Sequence, residues 1–414
     1  MTIFLFAFYF FLLLLIISRV IKKTEPEIKF GTITAMFSFK VLMGCAYGYI
    51  FLLNYGGDDT WVFFRDSLPE YQKLIHHPWQ FLNDFSPADE FNHASNFFQF
   101  IKEYLYDFEY WMMRKLLALF NVFSRGNYYI DALFFDFVIF WGPFLLLKSL
   151  LSYFPSKRNI LILIIFFFPS VSFWLSGIRA EGLVFLFMAI SIHYSAKWFN
   201  NHKISSLILT MIGILGMLAF RGVYLLVFIP AFISWILTFI YKRKPVFVFF
   251  LVYILSASLF FGSSLLSERN NLPSSIVSRQ QDFFHLPGKT IFRLDTLEPS
   301  PKSFIKILPQ AFSNTFFRPF IWESKGFLQI ISALDIFVFW ILILLLLIFH
   351  EKDWRTYLSN PLLLLFSFYG ITLTLLIGYI VPFPGAIVRY KSIAELLILC
   401  AITIAIDYKK LFKL

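Results

Sequence analysis

Asn54-Tyr55-Gly56-Gly57-Asp58-Asp59-Thr60-Trp61 is the stretch on which the reading of this chain turns. Before it, residues 36–54 are apolar for about the length that crosses a bilayer. After it the chain becomes polar and acidic as far as Trp111. Gly56-Gly57 marks a turn, and two adjacent carboxylates follow where the chain would leave the lipid. Carboxylates are costly inside hydrocarbon and cheap at its surface. The expected fold is therefore an all-α polytopic membrane protein with its chemistry at the membrane–water boundary.

Composition carries the same reading to the whole chain. Of 414 residues, 59% are apolar and 15% charged, and the mean hydropathy is +0.72. A soluble domain of this length has no use for so much apolar surface. The 58 phenylalanines read as lipid-facing bulk rather than chemistry. A net charge of +11 raises nucleic acid as a partner. Most basic residues, however, fall in short turns between apolar runs, at Arg19 to Lys23, Lys157-Arg158, Lys242 to Lys244 and Lys352 to Arg355. That is the positive-inside pattern of a membrane protein. Cys45 and Cys400 lie in apolar runs and make no disulfide framework. His76-His77 and His93 are too poorly accompanied for zinc. The first run, Thr2 to Val20, lacks a basic leader and a small-residue cleavage site, so it reads as a retained helix.

Counting runs of sufficient length gives about eleven transmembrane helices. They fall at residues 3–19, 36–54, 129–150, 159–176, 182–197, 204–220, 223–239, 246–264, 327–349, 361–380 and 386–406. The basic turns place the N-terminus outside and the C-terminus in the cytoplasm. Residues 1–414 read as a single transmembrane domain, with long external loops at 55–113 and 265–326. In the first loop, Phe97, Phe98, Ile101, Leu105, Phe108 and Trp111 recur at helical spacing, as in an amphipathic interfacial helix. Residues 116–123 are too few to span and read as a short re-entrant or interfacial helix.

The exceptions to this topology carry the functional signal. Arg65, Arg125, Arg179, Arg221, Arg318 and Arg389 all fall on the outer side, several at span ends. A guanidinium stays charged and grips phosphate with a rigid fork of donors. Each of them is also the kind of residue that snorkels to headgroups or pairs with a neighbouring carboxylate. Asp58 and Asp59 suit either of two tasks. One is to accept a proton from an attacking hydroxyl; the other is to coordinate a magnesium or manganese ion that neutralises a diphosphate. A plain turn role behind Gly56-Gly57 competes with both. Glu181 and Glu323 are secondary carboxylates, Glu181 sharing a short turn with Arg179. The run Leu308 to Glu323, with Arg318 and Trp322, is rich in aromatics and prolines, as a groove for a prenyl chain and sugar rings would be. A membrane-interface belt has the same composition. Arg389-Tyr390-Lys391 sets two cations at the external start of the last apolar helix, against its dipole unless an anion is near.

In whole-chain layout the sequence resembles the multispanning glycosyltransferases that use polyprenyl-phosphate sugars, the GT-C superfamily, and the related O-antigen and exopolysaccharide polymerase-like membrane proteins. In GT-C enzymes the first large external loop carries acidic catalytic residues near its start. By that resemblance Asp58 and Asp59, followed by Trp61 to Arg65, take the place. The segment Phe317-Arg318-Pro319-Phe320-Ile321-Trp322-Glu323 and the closing Arg389-Tyr390-Lys391 resemble elements of the polymerase-like proteins. One departure stands out: the next external loop has no second acidic motif unless Glu181 supplies it. The resemblance implies transfer of a sugar from a polyprenyl-linked donor to a glycan or lipid-linked acceptor, at the outer face of a bacterial inner membrane. A polysaccharide repeat-unit polymerase is the nearest competitor and would need the arginines more than a carboxylate. A lipid-linked oligosaccharide flippase or transporter would show charged groups at mid-span and half-repeats with broken helices, neither of which the sequence clearly displays. A non-catalytic membrane scaffold makes no demand for external arginines.

Overall fold

A computed structural model describes residues 2–84, 97–241, 244–265, 271–287, 290–324, 326–355 and 359–411, with backbone alone for 97–107. His93, Lys242, Arg243, Arg269 and Lys289 lie outside the described residues, as do the side chains of Phe97, Phe98, Ile101 and Leu105. Among the described residues the chain is all helical, with no β-sheet and one isolated bridge between His350 and Ile406. It divides into two compact units.

The first unit comprises Met1–Pro155, Phe166–Phe168 and Ser172–Val223. Its helices run α1 (Thr2–Thr24), α2 (Phe30–Tyr55), α3 (Asp58–His76), α4 (Pro78–Asn83), α5 (Phe97–Ser124), α6 (Tyr128–Ile139) and α7 (Trp141–Leu151). The helix α8 (Arg158–Phe167) and the short α9 (Pro169–Trp174) belong partly to each unit. They are followed by α10 (Ala180–Asn201) and by α11 (Ile204–Tyr241), whose residues through Val223 belong to the first unit. Backbone chemistry sets several of these boundaries. Gly56 closes α2 in the left-handed region at φ 67, and Gly57 sends its N–H back to the Phe51 carbonyl at 3.0 Å. Asn127 starts α6 by accepting from the Tyr129 and Ile130 amides. Pro169 cannot donate into a helical ladder, and α8 stops two residues before it. The Phe166 carbonyl is taken by the Ser172 hydroxyl at 2.8 Å.

Two regions read as loop or interface are regular helix. Thr60, Phe63, Phe64, Ser67 and Glu70 recur at three- and four-residue spacing and form the buried face of α3. That face packs extensively on α5, and residues 116–123 are the end of α5 rather than a separate element. In the described part of the run after Asp58, α3 and α5 are therefore a packed helical pair.

The second unit comprises Ser156–Ile165, Pro169–Val171 and Tyr224–Leu414. It contains α12 (Pro245–Gly262), α13 (Leu272–Phe284), α14 (Pro301–Phe316), α15 (Phe327–Ile348), α16 (Pro361–Ile380), α17 (Pro384–Ala405) and α18 (Tyr408–Leu411). Proline at the first positions and an N-capping side chain start α13, α14 and α16, through Asn271, Ser300 and Asn360. The pair α16 and α17 forms the packed centre of the unit. Gly378 brings α16 within van der Waals reach of the Ala311 backbone on α14, where a Cβ would meet the Ala311 oxygen at 2.3 Å.

Among the described residues eight helices are long and apolar enough to cross a membrane. The expected runs at 204–220 and 223–239 are the two helical stretches of α11, which meet at a kink where Arg221 is non-helical, with φ −155 and ψ 82. The run at 159–176 is interrupted ahead of Pro169. The run at 386–406 is a helix that carries Arg389, Lys391 and Glu395. A largely hydrophobic, all-α, multi-pass architecture follows from these spans.

Candidate functional site

The acidic pair at the head of α3 meets the N-terminus of α10. Arg179 precedes the first turn of α10 in extended backbone, and its side chain is 2% exposed. Its two terminal nitrogens divide between the pair. Nη1 donates to Asp58 Oδ2 at 2.8 Å and Nη2 to Asp59 Oδ2 at 2.5 Å. Its Nε lies 3.8 Å from Glu181 Oε2. Glu181 is fully buried in the first turn of α10, where the helix dipole favours a negative charge. Arg221, at the break in α11, stands 3.0 Å from Glu109 on α5 and 4.0 Å from Glu181. Four helices of the first unit, α3, α5, α10 and α11, thus bring four carboxylates and two guanidiniums into one alternating network.

The charge of this network is unequal. Four carboxylates face two guanidiniums, and burial makes an uncompensated carboxylate costly. Glu109 shows how the excess is met. Burial pushes its carboxyl up to about 7, with Glu181 and Asp59 adding to the rise and Arg221 and Arg179 opposing it. Asp59 is the open member of the set, with 57% of its side chain exposed. Asp58 sits in the left-handed region at φ 47, immediately after the positive-φ pair Gly56 and Gly57. A non-glycine residue there is strained by its Cβ. Gly57 is fixed as glycine twice over, since at φ 120 its Cβ would also lie 2.7 Å from the Trp61 Cβ.

Of the expected residues, the structure joins Asp58, Asp59, Arg179, Glu181 and Arg221. Arg65 on α3 and Arg125 in the turn before α6 are exposed. The second unit holds the others in separate contacts. Arg318 closes on Glu323 with Nη2 to Oε1 at 2.6 Å and Nε to Oε2 at 3.0 Å. It also donates to Asn314 and lies 3.8 Å above the Phe292 ring. The Arg318 guanidinium holds the Glu323 carboxyl below its usual range. Trp322 is 81% exposed and stacks on Phe320. Arg389 donates to the Tyr390 hydroxyl at 2.8 Å and lies over the same ring. Lys391 turns inward, buried, and donates to the Thr315 carbonyl at 3.0 Å.

Sequence reasoning singles out no role for Glu109, which falls between the apolar positions of the expected interfacial helix and is the partner of Arg221. It also found no clear charge at mid-span, and that reading does not hold. Lys40 in α2 and Asp136 in α6 pair at 3.7 Å, both buried, with Lys40 also donating to the Leu175 carbonyl at 3.0 Å. Gly44 permits this approach, for a Cβ there would meet Asp136 Oδ2 at 2.1 Å. The available signal was a single lysine in one apolar run and two aspartates, Asp131 and Asp136, in another, charges that seldom occur there without a partner. Among the described residues no group of three or more His, Cys, Asp or Glu side chains is placed to hold a metal ion. No family model, curated protein or solved structure matches the chain.

Proposed function

We propose that the protein is a membrane-embedded glycosyltransferase that moves a sugar from a polyprenyl-phosphate or diphosphate donor to a hydroxyl of a glycan or lipid-linked acceptor. The observation that carries this reading is the Arg179 fork, which fixes Asp58 and Asp59 side by side while leaving Asp59 half open. In the transfer, the acceptor oxygen bonds to the anomeric carbon and the bond from that carbon to the phosphate oxygen breaks. The leaving phosphate keeps the electron pair. The acceptor proton goes to a carboxylate, and Asp59 is the accessible one. Glu109, poised near neutrality, is the alternative base.

The arginine roles divide accordingly. Arg179 is committed to carboxylates, so its task is positioning rather than phosphate binding. Arg65 and Arg125, both exposed, are the freer candidates for a lipid-linked phosphate. Trp322 presents an open aromatic face suited to a sugar ring or a prenyl chain. Asp58 and Asp59 remain the candidate ligands for a magnesium or manganese ion, and the mechanism above needs no step through one. The reading includes about eleven crossings of a bacterial inner membrane, a GT-C-like arrangement, an outer N-terminus and a cytoplasmic C-terminus. It is tested in cells carrying Asp59→Asn or the Asp58→Asn/Asp59→Asn pair. Radiolabelled lipid-linked sugar should accumulate in the membrane fraction, resolved by thin-layer chromatography. Wild-type turnover of that lipid in the double variant removes the reading.

A second reading has two observations in its favour. The buried Lys40–Asp136 pair and the interrupted helix at Phe167 to Pro169 are features that transporters use. Movement of a labelled lipid-linked sugar across proteoliposomes, with no new glycosidic bond, would select a flippase or transporter instead. Formation of long products from intact repeat units would select a polymerase.

A further inference from the structure

The second unit contains a buried charge cluster that the transfer chemistry does not use. Asp335 lies in α15, a helix long and apolar enough to cross a membrane. Lys391 and Glu395 lie one turn apart on α17, which packs against α15. All three are more than nine-tenths buried. Lys391 Nζ is 3.8 Å from Glu395 Oε2 and uses a hydrogen bond on the Thr315 carbonyl. Ser170 offers its hydroxyl and backbone N–H to Asp335. Asp335 Oδ2 nevertheless has no hydrogen-bond donor among the described residues. The charged groups acting on Asp335 are Glu395 and Lys391. Glu323, on the neighbouring short turn, is closed on Arg318 and does not enter the balance.

Two carboxylates against one ammonium leave one negative charge inside an apolar unit. Such a charge is expensive without a compensating cation. Beside the cluster is a small cavity with Thr315, Thr374, Lys391 and Glu395 as its polar lining. Ile336 and Phe339, from the helix that carries Asp335, line it too. It has room for about one water-sized body, which excludes an organic ligand and suits an ion. We propose that the Asp335–Glu395–Lys391 cluster binds one monovalent cation, a proton or an alkali-metal ion, and that this cation neutralises the interior of the second unit. The inference is independent of the transferase reading, because it rests on residues with no part in that mechanism as drawn.

The test is the melting temperature of the full-length protein in nanodiscs. Sodium or potassium chloride is compared with N-methylglucamine chloride at equal ionic strength, at acid and neutral pH. If an alkali ion is the occupant, the wild-type melting temperature rises saturably with that ion, on the order of 5 °C at a hundredfold excess over Kd. If a proton is the occupant, the alkali ion has no effect and acidification raises the melting temperature. Asp335→Asn and Glu395→Gln each bring the charge into balance and should abolish whichever dependence the wild type shows. Lys391→Met removes the resident cation and should enlarge it. The opposite signs separate a binding site from a polar cluster that merely packs. A wild type that responds to neither cation, or an Asp335→Asn variant that responds as the wild type does, overturns the proposal.

Discussion

The two units solve the same electrostatic problem in different ways. Each buries more carboxylate than cation. In the first, Arg179 and Arg221 meet the excess at helix ends, and one carboxylate, Asp59, opens to solvent. In the second, the Lys391 cluster lies within helices and all three of its members are buried. A charged network with one exposed member can exchange protons with a bound substrate. A closed network can exchange only what fits within the apolar unit. The contrast teaches that two surpluses of buried charge can differ in what reaches them: Asp59 is open to solvent and the Lys391 cluster is buried.

Breaking the first network at its centre should have the largest effect. Arg179→Ala leaves fully buried Glu181 facing Asp58 and Asp59 without the fork, and loss of one partner in a buried ionic network costs about 3–5 kcal/mol. The expected outcome is a large fall in melting temperature and in membrane abundance, read by thermal unfolding in detergent and by quantitative blotting. An Arg179→Ala protein that melts like wild type would dissolve the contrast between the units. Next comes Asp59→Asn, which should lower transfer by about 100-fold while barely moving the melting temperature, since the side chain is half open.

Glu109→Gln sharpens the comparison through pH. With the folded Glu109 carboxyl at about 7, a base role makes turnover rise about tenfold per pH unit until that value is passed. The glutamine variant should lack this limb. Stability carries its own signature. Between the ordinary carboxylate value of 4.5 and about 7, the folded protein holds a proton on Glu109 that the unfolded chain has released. This group therefore subtracts stability as pH rises through that window. Melting curves of wild type and Glu109→Gln across it should converge at low pH and separate at high pH, with wild type the less stable. The smallest effect is expected at Arg318, a quarter-exposed ion pair. Arg318→Ala should cost about 1 kcal/mol or less, and a larger loss would mean that the pair holds more than itself.

The membrane class and most spans were legible because long apolar runs and basic turns follow from bilayer thickness and charge alone. Asp58 and Asp59, at the head of the candidate site, stand out in the sequence because adjacent carboxylates after a double glycine interrupt an apolar chain. Arg179 was legible as an outer-side cation but not as the hub, because its three carboxylate partners come from two helices far apart in the chain. Arg221 read as a span end, and two helical stretches do meet there, but its carboxylate partners Glu109 and Glu181 lie on other helices and were not legible. Glu109 was hidden in an amphipathic pattern, where a glutamate on the polar face and one turned toward a partner have the same spacing. Lys40, Asp136, Asp335 and Glu395 were hidden differently: each belongs to a run apolar enough to be counted as a span in spite of its few charges. Which of them meet is a matter of tertiary packing.

Asp58 has a consequence for laboratory evolution. Its backbone is left-handed, where glycine is at ease and an aspartate is less so. Replacing it with glycine would ease the backbone but remove a carboxylate that holds the buried Arg179 guanidinium. A library selected for heat resistance should therefore keep the aspartate in spite of its backbone. Enrichment of glycine under that selection would show that the backbone term at this single codon outweighs the ion pair.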